Sequence, residues 1–161
     1  MWAPRIQRYP AQVGMNQDWI GRTVPASNTY VVGREKIREF AAAIGEVSPV
    51  CNDVDAARQA GYADVIAPPT FAIVMSMRAL SAVIHDPDLG LDFARVVHGD
   101  QRFRHQRPIV AGDELRVDIT IESIRSMAGN DILSARADIT DASGQAVCST
   151  WSTLVAREAA A

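Results

Sequence analysis

From Val65 to Ile84 the chain runs twenty residues with Arg78 as its one charge. Pro68 and Pro69 interrupt the run near its start. About fifteen helical residues remain, roughly 22 Å at 1.5 Å per residue, against a hydrocarbon core of roughly 30 Å. The segment is too short to span a bilayer and reads as a core helix, with Pro69 or Thr70 in its first turn, where a missing N–H costs little. Phe71, Ile73, Val74, Met75, Met77, Leu80, Val83 and Ile84 spread all round its axis. A helix apolar on most sides must be buried on most sides.

The second half supplies the surface for that burial. Leu115, Val117, Ile119 and Ile121 alternate with Glu114, Arg116, Asp118, Thr120 and Glu122, and Leu133, Ala135, Ala137 and Ile139 alternate with Ser134, Arg136, Asp138 and Thr140. Period-two alternation marks half-buried antiparallel strands. Further strands are expected at about 95–107 and 145–156, with turns at Ala111-Gly112-Asp113, Ala128-Gly129-Asn130-Asp131 and Ala142-Ser143-Gly144.

Ahead of the long helix, Asn28 to Val32 reads as a short strand. Glu35 to Ile44 reads as an amphipathic helix, because Ile37, Phe40, Ala41 and Ile44 fall at i, i+3, i+4 and i+7. Glu46 to Asn52 reads as a loop and Asp53 to Ala60 as a short helix. The order is strand, helices, then four strands, an α+β architecture in which a five-stranded antiparallel sheet packs on one long helix. One sheet cannot cover every side of that helix, so a second subunit, a second copy or another chain, is expected to cover the rest. The boundaries expected are a loosely ordered tail over 1–16, with Met15 an alternative start, one domain over 17–157 and a short tail over 158–161.

Composition narrows the functional classes. The 161 residues carry a net charge of -3 with no Lys/Arg cluster, which argues against a nucleic-acid partner, whose backbone demands a basic face. Cys51 and Cys148 fit no metal-ligand spacing and make a poor disulfide framework for a chain this long, so no metal and a reducing, cytoplasmic location are expected.

Two stretches carry more. IREFAAAIGEVSPVCNDVDAARQAGYADVIAPPTF, residues 37–71, and VVHGDQRFRHQRPIVAGDEL, residues 96–115, resemble the MaoC-like hotdog hydratases and dehydratases. Within these they are similar to the FAS1-type dehydratase N-terminal-like group that includes the HadA-type subunits of (3R)-hydroxyacyl-ACP dehydratases. The resemblance covers about residues 17–157. It implies a hotdog fold that dimerises, and reversible addition of water across the 2,3 double bond of an acyl thioester, carried on CoA or ACP, without a cofactor.

Catalytic members of that family carry a Gly-Asp-x-Asn-Pro-hydrophobic-His loop, whose Asp and His hold and activate water. Here the matching stretch is Gly45-Glu46-Val47-Ser48-Pro49-Val50-Cys51. Glu46 stands in the Asp position and Cys51 in the His position, so the imidazole is missing. An unperturbed thiol has a pKa near 8.5 and makes a better nucleophile than proton shuttle. Cys51 also reads simply as a small buried apolar residue. The resemblance further implies a backbone N–H ahead of the long helix, on a Gly, that binds the thioester oxygen; here that position is Pro69, which has no N–H.

The same resemblance makes this chain similar to the non-catalytic half of two-hotdog enzymes, in which one hotdog keeps the loop and the other houses the acyl chain. His98-Gly99-Asp100-Gln101 is similar to a His-Gly-Glu-Gln motif of that half. Candidate substrate-binding residues are Pro69, Thr70, Phe71, Met75, His98, Gly99 and Gln101. His98 reads equally as a satisfied strand histidine, Gly99 as a bulge or close backbone approach, and Met75 with Met77 as core filling. Arg102, Arg104 and Arg107 suit a phosphate or acidic carrier, or a solvated sheet face.

Three functions remain in contention. The first is a non-catalytic, acyl-accommodating subunit of a (3R)-hydroxyacyl-thioester dehydratase in fatty-acid or related metabolism, partnered by a catalytic hotdog. The second is a self-sufficient hydratase or thioesterase using Glu46, assisted by His98. The third is an acyl-thioester binding module without chemistry.

Overall fold

A computed structural model describes residues 14–25 and 28–157. Most of the tail expected over 1–16, and all of that over 158–161, lie outside the described residues. Met15 is buried and the Asn16 N–H donates to the Leu89 carbonyl at 2.9 Å, so ordered packing starts ahead of Gln17.

The strands are β1 (Thr23–Val24), β2 (Tyr30–Val31), β3 (Val96–His105), β4 (Glu114–Met127), β5 (Asn130–Asp141) and β6 (Ala146–Ala156). They form one antiparallel sheet ordered β1-β4-β5-β6-β3, with β2 also on β4. The sheet has six strands where five were expected, because Thr23–Val24 pairs with Thr120 and Ile119. Alternation decides which face turns inward. Val117 pairs with Ile139, Ile119 with Ala137 and Ile121 with Ala135, and all six are buried. A register shift between Ile121 and Ser123 reverses the phase, which is why the next inward residue is Ile124 and why the sequence alternation stops at Glu122.

The helices are α1 (Arg34–Ile44), α2 (Pro49–Asn52), α3 (Val54–Gln59) and α4 (Ile73–Ile84). Gly45 closes α1 in the left-handed region, φ 71°, and the Glu46 N–H reaches back to the Ala41 carbonyl at 2.8 Å, a Schellman closure. Ile37 and Ala41 face the core, while Ile44 stays half exposed. Residues 49–52, expected as loop, form the short helix α2, with Pro49 in its first turn.

Helix α4 opens at Ile73, later than the expected Pro69 or Thr70. The Pro68-Pro69 pair withholds two N–H donors and favours extended backbone before each ring. The chain instead makes tight turns, Phe71 N–H to Pro68 O at 2.9 Å and Ile73 N–H to Thr70 O at 3.1 Å. Met75, Leu80, Val83 and Ile84 bury against the sheet, while Val74, Met77 and Ala79 are only partly covered. No helix of the described residues is long and apolar enough to cross a membrane.

Candidate functional site

The loop that follows α1 is held by its own polar groups. Glu46 Oε1 accepts the Ser48 N–H at 2.8 Å. Asn52 Nδ2 donates to the carbonyls of Ser48 at 2.9 Å and Glu46 at 3.3 Å, folding 46–52 into a compact unit. The Asp53 carboxylate then caps α3 by accepting the Ala56 N–H at 2.7 Å. In this setting Cys51 is 4% exposed. Burial, with the Glu46 carboxylate adding to it, pushes its thiol pKa up. A thiol held protonated at neutral pH is a poor base and a poor nucleophile.

Glu46, Ser48 and Cys51 line a cavity of about 480 Å³ together with Pro69 and His105. His105 is the site residue that the sequence reading passed over. It was one of a run of polar residues on a strand, and nothing local sets it apart; only the folding of β3 beside the Pro68-Pro69 turn brings it to Glu46. Its Nε2 lies 2.8 Å from the Pro69 carbonyl. A carbonyl oxygen only accepts, so Nε2 carries a proton and donates. Cys148 Sγ lies 3.8 Å from the same Nε2, and burial pushes that thiol up to about 11.

The other candidates are dispersed. Phe71 is fully buried and meets Phe40 edge-on at 5.5 Å. Thr70 is exposed. Met75 lines a second cavity of about 410 Å³ between α4, β4 and the β1–β2 segment. His98, Gly99 and Gln101 line neither cavity: His98 pairs with Leu154 and His105 with Cys148, which puts the two residues roughly 20 Å apart along the sheet at about 3.3 Å per residue of the unbulged partner strand. The register shifts between His98 and Asp100, so Gly99 occupies a bulge. Gln101 Oε1 accepts the Ser152 hydroxyl at 2.7 Å. Arg107 is committed to the protein itself, in a two-pronged pair with Asp113 at 2.7 and 3.1 Å, and Arg102 lies over Trp151 at 5.5 Å. Among the described residues there is no cluster of three or more metal-ligating side chains.

Residues 18–150 match the family described as FAS1-like, dehydratase domain region. The chain belongs to that family. This FAS1-like dehydratase chain is 56% identical over 143 residues to a UPF0336 protein of Saccharopolyspora erythraea, covering 89% of this chain and 92% of the relative. It is 52% identical over 147 residues to a UPF0336 protein of Streptomyces coelicolor, covering 91% and 98%. Among solved structures, a MaoC-like dehydratase superposes with TM-score 0.81 at 35% identity, over 88% of this chain and 43% of that one. The C-terminally truncated HadBC complex, the 3R-hydroxyacyl-ACP dehydratase of Mycobacterium tuberculosis, superposes with TM-score 0.78 at 30% identity, over 86% and 97%. The FAS1-like chain therefore spans less than half the length of the first and nearly all of the one matched chain of the second. The α+β architecture is the hotdog fold of these dehydratases.

Proposed function

We propose that the chain is the non-catalytic, acyl-chain-accommodating subunit of a (3R)-hydroxyacyl-thioester dehydratase in fatty-acid or related acyl-chain metabolism, acting in the cytoplasm with a catalytic hotdog partner. The observation that carries this reading is the pair Cys51 and Pro69. A buried, protonated thiol stands where the imidazole belongs, and a proline that cannot donate stands where the thioester oxygen needs a hydrogen bond. Losing one such donor typically costs about 10²–10³ in rate.

In this reading the partner's base removes a proton from C2 of the (3R)-hydroxyacyl group, and its acid protonates the C3 hydroxyl as water leaves. The partner also supplies the N–H that stabilises the enolate oxygen, and no electrons change hands. This chain contributes space for the acyl group and the opposing face. Strand β3 supports an intermolecular contact: it ends the sheet order, is exposed along most of its length and presents Val97, with Phe93 just ahead of it. HadBC is a complex, and the longer MaoC-like dehydratase has more than a second chain's length beyond the part matched. The test is hydration of crotonyl-CoA or a longer enoyl-CoA: none above background from the purified chain, and turnover when the catalytic hotdog is added. Robust turnover by the chain alone overturns the proposal.

One observation favours the self-sufficient hydratase. Glu46 and His105 share a cavity, so the assisting imidazole would be His105 and not His98. On that reading Glu46→Gln and His105→Gln each remove activity from the chain alone.

A further inference from the structure

The cavity lined by Met75 lies outside the degenerate loop and has one charged side chain, Arg78, in its lining. Met75, Arg78, Ala79 and Ala82 line it at spacing i, i+3, i+4 and i+7, one face of α4. Val117 and Ile119, both buried, form the wall opposite. Ala79 and Ala82 create the space, because a larger side chain at either position would project into it. The cavity opens where Arg78 and Ala82 are exposed and closes on Met75.

Arg78 is the one charge in the run from Val65 to Ile84, and it falls on this face. Among the described residues it makes no ion pair within 4.0 Å. A permanently charged guanidinium matches a carboxylate with two parallel hydrogen bonds. The cleft is apolar along α4 and β4 and carries polar groups at Asn28, Thr29, Tyr30 and Arg78, the usual mix of a small-molecule site.

We propose that this cavity binds a free fatty carboxylate, its hydrocarbon tail between α4 and β4 and its carboxylate on Arg78. The Tyr30 ring, also at the cavity, flanks the headgroup. The inference concerns a free acid and is independent of the loss of the Glu46/Cys51 pair. It gives the chain a ligand distinct from a thioester, of the kind released when an acyl thioester is hydrolysed.

The test is calorimetric titration of the full chain with dodecanoate, dodecanol and dodecanoyl-CoA, each below its micellar concentration. Dodecanoate is expected to bind saturably and the uncharged alcohol about tenfold more weakly or worse. Arg78→Gln is expected to weaken the acid about tenfold and leave the alcohol unchanged. Ala82→Phe, checked for an unchanged melting temperature, is expected to abolish both. Absence of dodecanoate binding, or an affinity that Arg78→Gln leaves intact, overturns the inference. So does dodecanoyl-CoA binding as tightly as the acid with no response to Arg78→Gln, which would assign the cavity to the thioester tail. Turnover with a catalytic partner is a separate readout, so the two proposals fail separately.

Discussion

His105 Nε2 donates a 2.8 Å hydrogen bond to the Pro69 carbonyl, tying the end of β3 to the turn that launches α4. The bond spans two elements and fixes the wall of the larger cavity. A hydrogen bond of this kind contributes about 0.5–1.5 kcal/mol net. His105→Ala should lower stability by about 1 kcal/mol in urea denaturation, and His105→Gln should recover part of the loss. An unchanged midpoint for the alanine variant would show the contact to be incidental.

The two cysteines should be nearly inert in the native chain. Cys51 is 4% exposed and Cys148 fully buried, and burial raises both thiol pKa values, Cys148 to about 11. Iodoacetamide at pH 8 is expected to label the native chain at least about tenfold more slowly than the urea-unfolded chain.

The same thiols give an alkaline limit to stability. Below the unfolded thiol pKa, near 8.5, both states are protonated and the fold keeps its full advantage. Above it the unfolded chain loses protons that the folded chain retains, so stability falls as the pH rises from about 9 to about 11. Urea midpoints across that range should decline, and Cys148→Ala should flatten the decline.

Two glycines should respond unequally to alanine. At Gly99 a Cβ would sit 3.5 Å from the Thr153 carbonyl and 3.6 Å from Val155 Cγ2, ordinary contacts at a backbone that an L-residue can adopt. Gly112 has φ +94°, which disfavours any side chain. Gly99→Ala is expected to change stability by less than about 0.5 kcal/mol and Gly112→Ala to cost about 1 kcal/mol or more. Equal losses would mean that the Gly99 bulge is tighter than its geometry indicates.

Asp113 holds the corner after β3 from three sides. Its carboxylate accepts two Arg107 N–H groups and the Val110 N–H at 2.9 Å. Hydrogen bonds to charged groups contribute about 1.5–3 kcal/mol, less where solvent screens them as it does Arg107. Asp113→Asn should cost about 1–2 kcal/mol by thermal or urea melts, while Arg102→Gln, at an exposed pair, should cost almost nothing.

Much of the fold was legible because its signals are local. The alternations through Ile121 and Ile139, and the apolar run ending at Ile84, each name an element and its buried face. What was not legible depends on partners distant in sequence. Thr23–Val24 is a strand only because Thr120 and Ile119 lie beside it. The start of α4 moved because two proline rings turn the backbone where Pro69 or Thr70 had been expected to open the helix. At the site, Glu46 and Cys51 were expected from the resemblance carried by the 45–51 loop and Pro69 from that of the step into the long helix, and all three line one cavity. His105 was missed because a histidine on a polar strand carries no local mark, and His98 was favoured by a motif that leaves it at the far end of β3.

The two margins of the sheet are unequal. One is closed off by the short strands β1 and β2 laid along β4, and the other is the ten-residue β3. Short end strands give a neighbour little to pair with. In polymer terms the chain is a monofunctional monomer. On the pairing through β3 proposed above, the opposite margin offers only two-residue strands, so growth by strand addition terminates at a pair instead of running on into a fibre.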